Sequence, residues 1–299
     1  LTVSPATARW SVVSRSSFAA GKGPLIERAQ LEVYYRRGYS QYQALDTWRG
    51  WQAAPPVTVA SVHGPLRQLA FHIGREQDPL GFTLTFAMPE DRPFLLWQLA
   101  VENRGRQPVW LDRLELLSAG YIYQARSSPR GLLRLAPPAA GALNRTQHPG
   151  SGLSRPAEKP ANPAFFGNGW QSWSYAGVYG ADERFVHTRL GPLRAPVDVT
   201  PGTPQPGRAG LFASDMFGVL GDRTYRSALL VGFLSQQQHF GSVEAWISGA
   251  LPALRLWANG DGARLDPGQQ VATDWAYLQF LHLDEAFLAR LQQLLRQQQ

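Results

Sequence analysis

The chain has 299 residues, of which 44% are hydrophobic and only 17% are charged. This length and composition favour a globular protein with a sizeable core, built as one large domain or two small ones. The chain contains no cysteine, which excludes a disulfide framework and leaves no thiolate for catalysis or metal binding. Its longest apolar run, 94–101, is interrupted by Gln98 and is too short to span a bilayer. Because the N-terminus lacks a basic segment followed by an apolar one, we expect no signal peptide and a cytoplasmic protein.

The formal net charge is +7 at pH 7, and a positive net charge is common among nucleic-acid-binding proteins. The cations are almost all arginines, however, and they are scattered singly among acids, as in Glu27-Arg28 and Asp112-Arg113. A phosphate-binding surface needs clustered positive charge. We therefore expect a solvated surface, with no nucleic-acid partner and no membrane partner.

The dominant hydrophobic period along the chain is two, which is typical of half-buried β-strands. Phe82, Leu84 and Phe86 alternate with threonine and alanine, and Leu95 and Trp97 begin a similar pattern. Glycine (29 residues) and proline (23 residues) separate such segments at short intervals. Many short strands with turns between them predict an all-β sandwich of antiparallel sheets. The predicted strands are 8–14, 31–36, 57–62, 66–73, 82–87, 95–101, 109–117, 131–135, 227–234, 251–258 and 275–283.

Three connections stand out between these strands. The segment 103–106, Asn-Arg-Gly-Arg, predicts a hairpin turn with 109–117 as the return strand, because Asn and Gly tolerate positive φ. Segments 136–164 and 191–209 are long and rich in proline, and loops of this length in a compact domain are usually functional or disordered.

Only the end of the chain has a helical pattern. Asp284 is a plausible N-cap, and an apolar stripe follows at helical spacing. The stripe consists of Phe287, Leu288, Leu291, Leu294 and Leu295. Such a stripe needs a surface to pack against, so the helix either folds back on the sandwich or leads into a further domain. We therefore predict a sandwich domain over 1–283 and a linker helix over 284–299.

One short motif, Gly-Asn-Gly-Trp-Gln-Ser-Trp-Ser at 167–174, lies between the two long loops. Its glycines disfavour a helix, so we expect an extended or turning backbone. In an extended segment successive side chains alternate sides. Trp170 and Trp173 then point in opposite directions, so that one indole can anchor the loop while the other projects beside Gln171.

The projecting indole has two interpretations. Its face can hold the C–H face of a sugar while neighbouring amide and hydroxyl groups bind the sugar hydroxyls. Alternatively, both indoles pack beneath the long loops as a small satellite core. The spacing alone leaves both interpretations open.

The segment 168–174 closely resembles the Asn-x-Trp-Gln-Ser-Trp motif of the α-galactosidase/raffinose synthase (melibiase) family of glycoside hydrolases. Two further segments resemble that family: the paired strands around 94–117, and the stretch 210–217 followed by the strand at 228–235. The resemblance implies a large N-terminal β-supersandwich, with the final helix leading to a (β/α)8 catalytic barrel that this chain does not contain.

The resemblance also implies roles for the motif residues. Trp173 would reach into the barrel's active site and form part of the wall of the galactose subsite, and Trp170 would anchor the loop. Asn168 and Gln171 would hold the loop's shape, with a direct contact to the sugar as a second role. Ser214 and Asp215 match a family stretch to which the resemblance assigns no role. The substrate would be a galactoside or oligosaccharide, with the barrel domain and a homo-oligomer as further partners and no cofactor.

Catalysis in that family uses two barrel aspartates, one as nucleophile and one as general acid/base, with retention of configuration. We therefore expect no catalytic residue in this chain and no hydrolysis by the chain alone. The adjacent acids Asp182-Glu183 and Asp284-Glu285 are interpreted as solvated pairs. The histidines show no metal-ligand spacing, and only His187 lies near the motif. They are His63, His72, His148, His187, His239 and His282.

Two alternatives belong to other classes of protein. A free-standing carbohydrate-binding module would use Trp173 as a platform without any chemistry. A purely structural sandwich would bury both indoles.

Overall fold

In the computed structural model of the protein, the described residues are 1–4, 9–13, 25–39, 43–45, 51–61, 64–74, 78–90, 92, 94–120, 132–134, 161–169, 176–185, 208–224, 226–248 and 252–282. Over these ranges the fold is all-β, as the hydrophobic period predicts. In the same ranges there is no helix long and apolar enough to cross a membrane. The predicted helix over 284–299 lies outside them.

The described strands form two sheets in which neighbouring strands run antiparallel. The nine-stranded sheet contains Thr2–Ser4 (β1), Arg9–Val13 (β2), Leu25–Arg37 (β3), Gln43–Leu45 (β4), Val109–Ala119 (β10), Leu132–Arg134 (β11), Leu211–Asp215 (β14), Gly241–Trp246 (β17) and Ala253–Leu265 (β18). The eleven-stranded sheet contains Gln52–Ala53 (β5), Val57–Val59 (β6), Leu66–Ile73 (β7), Leu80–Pro89 (β8), Phe94–Asn103 (β9), Pro163–Gly167 (β12), Gly177–Gly180 (β13), Phe217–Asp222 (β15), Ser227–Phe233 (β16), Gln270–Ala272 (β19) and Ala276–His282 (β20).

The core lies between the two sheets and is rich in aromatic side chains. Trp10 on β2 packs against Trp97 on β9 and Phe86 on β8, with ring centroids 5.5 and 5.6 Å apart. The Trp97 indole N–H also donates to the carbonyl of Leu116 in the opposite sheet, over 3.1 Å. All three aromatic rings are almost completely buried, so the sandwich is joined by apolar area and by a satisfied polar group.

The hairpin predicted at 103–106 is wrong, although both flanking strands exist. β9 pairs with β8, β19 and β20, whereas β10 pairs with β3 and β18, so the chain crosses here from one sheet to the other. Buried Asn103 supports the crossing, because its amide nitrogen donates to the carbonyls of Gln107 and Leu265, both at 2.9 Å. Its side-chain oxygen accepts from the N–H of Gly105 at 3.0 Å. A period of two identifies a strand but does not identify its partner, which is why the sequence pattern misleads here.

The outer face of the nine-stranded sheet carries an ion-pair cluster centred on Arg255. Its guanidinium binds Glu115 through two hydrogen bonds, of 2.7 and 3.0 Å, and reaches Glu244 at 3.3 Å. The Glu115 side chain is fully buried and that of Arg255 is 13% exposed. Burial opposes the charge on Arg255, but the attraction and hydrogen bonds of Glu115, with the charge of Glu244, outweigh it and raise the pKa of Arg255.

A second polar feature holds the turn after β16. The Asp274 carboxylate accepts a hydrogen bond from the Ser235 hydroxyl and from the N–H groups of Gln237, Gln238 and His239, the last three at 3.0–3.1 Å. Burial by itself would raise the pKa of Asp274, but these hydrogen bonds favour the ionised form and the pKa is lowered.

The lowered pKa of Asp274 predicts acid-sensitive stability. Because the folded pKa lies below the unfolded value of about 3.9, the contribution is complete above that value and is lost as pH falls through the folded pKa. We expect urea unfolding to show wild type more stable than Asp274→Asn at pH 6, with the gap closing below about pH 4. Asp266→Asn, at an exposed carboxylate, is the control. A gap that stays constant from pH 6 to pH 2.5 would contradict this account.

Candidate functional site

The motif at 167–174 begins at the end of β12 and lies in the connection to β13. β12 and β13 pair antiparallel, with Gly167 opposite Gly177, so these two strands form a β-hairpin. This hairpin lies at one edge of the eleven-stranded sheet. The sequence between these two paired strands includes both tryptophans of the motif.

The first motif residue after β12 is clamped to the opposite sheet. The Asn168 N–H donates to the Ser214 hydroxyl at 2.7 Å, and the Asp215 N–H donates to the Asn168 carbonyl at 2.7 Å. The Ser214 hydroxyl lies 3.2 Å from the same carbonyl, and the Asn168 amide nitrogen lies 3.4 Å from the carbonyl of Asp215. Ser214 and Asp215 are buried at the end of β14, so these bonds are shielded from water. The clamp fixes where the loop leaves the sandwich.

Close packing beneath the loop reinforces the clamp. A Cβ on Gly167 would lie 3.0 Å from the carbonyl oxygen of Ala213, a tight contact that would require β12 or β14 to shift by a few tenths of an ångström. Next to it, the Phe212 ring of β14 stacks on Tyr179 of β13 at 4.3 Å and lies 6.3 Å from Phe165 of β12. Three aromatic rings from two sheets therefore form the base of the hairpin.

A one-residue crossing follows the clamp. β14 ends at Asp215 in the nine-stranded sheet and β15 begins at Phe217 in the eleven-stranded sheet, so Met216 alone joins them. Met216 adopts φ 69°, which is unusual for a residue with a side chain. Its N–H donates to Gly241 and its carbonyl accepts from Phe233, each over 2.9 Å, and these bonds hold the conformation. The Ser214 hydroxyl also donates to the Phe217 carbonyl, so Ser214 supports both the crossing and the loop.

Of the predicted site residues, Asn168 lies among the described residues and is half-buried at the clamp. Trp170, Gln171 and Trp173 lie outside them, and their roles stay predictions. His187 lies outside them as well. Asp182 and Glu183 are both exposed, as predicted, and the Gly180 N–H donates to the Glu183 carboxylate. Within the described ranges, no group of three histidine or acidic side chains is placed to hold a metal ion.

Sequence reasoning missed the function of Ser214 and Asp215, although it noted the pair. The structure places both at the loop base, where one hydroxyl and one backbone N–H secure Asn168. A signal was present in part: a small hydroxyl residue beside an acid often marks local backbone hydrogen bonding. The contact spans 46 residues of sequence, so no local pattern identifies the partner.

No protein-family profile and no curated protein matches the sequence. Among solved structures, the GH36 α-galactosidase AgaB from Geobacillus stearothermophilus aligns with a TM-score of 0.47 and 10% identity, over 85% of this chain and 32% of that chain. The galactosidase domain of the α-galactosidase–sucrose kinase AgaSK aligns with a TM-score of 0.42 and 11% identity, over 86% and 28%. Slr1438 from Synechocystis sp. PCC 6803 aligns with a TM-score of 0.37 and 12% identity, over 83% and 73%.

The chain therefore spans about a third of the length of the α-galactosidase AgaB. With TM-scores below 0.5, these likenesses carry no argument about family or activity. What defines the site is its own geometry: Asn168, the first residue after β12, is clamped across an all-β sandwich.

Proposed function

We propose that this chain is the N-terminal, non-catalytic β-sandwich of an α-galactosidase-like glycoside hydrolase of the cytoplasm. The complete enzyme would hydrolyse terminal α-galactosides with retention, using two aspartates of a barrel that follows residues 284–299. In this proposal the loop after β12 supplies Trp173 to the wall of the galactose subsite, and Trp170 anchors the loop. The sandwich supports the barrel or an oligomer of the enzyme.

The observation that carries the proposal is the clamp at Asn168. A side chain that forms part of another domain's pocket must be held in position, because a displacement of about 1 Å is enough to weaken a site. The four polar contacts to Ser214 and Asp215 provide this support at the start of the loop. The motif has four residues between Asn168 and Trp173, a length that would let the indole project while the loop base stays fixed.

The chemistry of the motif fits a sugar. An indole offers a flat apolar face at small entropic cost, and a neighbouring amide such as that of Gln171 can donate to and accept from sugar hydroxyls. The same amide chemistry makes Gln171 and Asn168 candidates for shaping the loop. The Asp182-Glu183 pair is exposed, which fits solvation.

The test uses Trp173→Ala in the complete protein, with barrel, and an aryl α-galactoside as substrate. We expect kcat/KM to fall by about 10- to 100-fold, as for loss of a well-packed aromatic contact. Trp170→Phe is the matched control, because it keeps an aromatic anchor and should retain most activity. An unchanged kcat/KM for Trp173→Ala would contradict the proposal.

The chain alone distinguishes the alternatives. Residues 1–299 should release no galactose, and measurable release would overturn the assignment of catalysis to the barrel. Saturable galactoside binding by residues 1–299, lost in Trp173→Ala and kept in Trp170→Phe, would instead favour a free-standing binding module. A large loss of stability in Trp173→Ala, with no galactoside binding by residues 1–299, would favour a structural role for both indoles.

A further inference from the structure

An open apolar groove of about 340 Å³ lies on the outer face of the eleven-stranded sheet. It runs across β12, β13, β15 and β16, with the turn between β15 and β16 at one end. Its apolar lining consists of Ala164, Phe166, Val178, Val219, Gly221 and Ala228.

These residues face away from the core. Phe165 and Leu220 alternate with them along β12 and β15, and both of those side chains are fully buried between the sheets. Val178 is 49% exposed, and Phe217 beside the groove is 38% exposed. An apolar lining of this kind does not satisfy the hydroxyls of a sugar, so the groove fits an apolar partner.

The last described strand ends beside this groove. On β20, Leu281 lies opposite Ala228, and His282 lies opposite Ser227, so Leu281 shares the face of the groove. Gly221 and Ala164 continue the same row of paired positions across β15 and β12. The described part of the chain therefore ends at His282, beside the groove.

The sequence of this segment matches the groove in length and polarity. A helix over 284–299 is about 24 Å long at 1.5 Å per residue, and four neighbouring strands at about 4.8 Å spacing are about 14–19 Å across. Its five apolar residues lie on one face, which suits the apolar residues of the lining, whereas Asp222, Arg223, Arg226 and Ser227 line the groove at the turn.

The charges at the entrance are complementary. Asp284 and Glu285 follow directly after the end of β20, where Arg223 and Arg226 lie in the adjoining turn. A segment that docks in the groove would bring these acids towards the two arginines of the turn, and acids are also favoured at a helix N-terminus.

We infer that residues 284–299 form a helix that docks its leucine face into this groove, so that the sandwich binds its own C-terminal segment. The docked helix covers the exposed part of Val178 and sets the direction in which the chain leaves the sandwich. This inference concerns the edge of the eleven-stranded sheet that the β12–β13 hairpin forms, and it does not depend on galactoside chemistry.

Engineered cysteines test the docking directly, because the natural chain has none. Val178→Cys is combined in the full chain with Leu288→Cys, Leu291→Cys or Leu295→Cys, and each double variant is mildly oxidised. We expect an intramolecular disulfide in at least one of these pairs, since a disulfide needs Cα atoms about 4.4–6.8 Å apart. Val178→Cys with Gln293→Cys is the matched control, because Gln293 lies on the opposite helix face and should not form a disulfide.

Three results of this experiment would contradict the inference. No disulfide at any stripe position, or an equal yield with Gln293→Cys, would overturn the inference. Disulfides that join two molecules would place a second copy of the chain in the groove and would also overturn it. None of these results bears on the role of Trp173, so the two proposals fail separately.

Hydrogen exchange of the peptide 284–299 gives a second measurement without cysteines. Val178→Asp should speed exchange in this peptide by at least about tenfold, because a charge in the groove displaces the leucine face. Val57→Asp is the control: Val57 is 55% exposed on β6 of the same sheet and lies outside the groove. Equal exchange in both variants would contradict the docking.

Discussion

Replacing Phe212 by alanine is expected to lower the free energy of unfolding by about 3–5 kcal/mol, the range for a fully buried phenylalanine. Phe212 has no exposed surface, and its ring stacks on Tyr179 at 4.3 Å and lies 6.3 Å from Phe165. Its loss removes the contact by which β14 holds the β12–β13 hairpin. Urea unfolding monitored by tryptophan fluorescence measures the change.

The local effect separates Phe212 from an ordinary core residue. We expect hydrogen exchange in Phe212→Ala to rise most at 164–169 and 177–180, because the hairpin loosens before the rest of the sandwich. Phe86→Ala is the matched control: Phe86 is 1% exposed and packs against Trp10 at the other side of the core. It should lower overall stability by a similar amount without a selective effect on the hairpin. A loss below about 1 kcal/mol in Phe212→Ala would contradict the packing described here.

Arg255→Met is expected to destabilise the fold by about 3–5 kcal/mol, because it leaves the buried charge of Glu115 without its bidentate partner. The two hydrogen bonds between these side chains are 2.7 and 3.0 Å long, and the Glu115 side chain is fully buried. Chemical unfolding at pH 7 measures the loss. The methionine keeps much of the apolar length of the arginine side chain, so the change reports mainly the missing charge.

Two comparison variants make the Arg255 result interpretable. Arg264→Met breaks an ion pair with Asp266 whose side chains are 59% and 43% exposed, and we expect little change in stability. The double variant Arg255→Met/Glu115→Leu should recover part of the loss, because it also removes the buried charge that has lost its bidentate partner. If Arg255→Met and Arg264→Met behave alike, the cluster is not a buried ion pair in solution.

The fold class follows from local patterns, and this part of the sequence analysis is confirmed. Alternation of apolar and polar residues predicts 66–73 as a strand, and β7 spans Leu66–Ile73. Strand pairing does not follow from local patterns, because it depends on contacts between residues that are distant in the sequence. The segment 103–106 has the residues of a hairpin turn, yet the chain crosses here from one sheet to the other. The hydrogen bonds of buried Asn103 support this crossing. Several strands lacked the alternation altogether, and β12 begins within a stretch that its prolines mark as a loop.

The candidate site shows the same limit. The motif residues themselves are recognisable, since two tryptophans among glycines and serines are unusual in a loop. The clamp is not recognisable, because Asn168 and Ser214 are 46 residues apart and form their contact only once β12 and β14 pack together. In the sequence, Gly167 likewise has the residue type of a flexible position. In the structure, a residue without a Cβ fits here because the carbonyl oxygen of Ala213 lies close by.

The most direct test of the central claim is to read the coding sequence beyond the codon for Gln299. The account predicts a continuous reading frame that enters alternating strands and helices, with aspartates at the ends of barrel strands, which would give Trp173 a pocket to complete. A stop codon directly after Gln299 would contradict it. The sandwich would then have no catalytic domain, and the carbohydrate-binding module would become the better account.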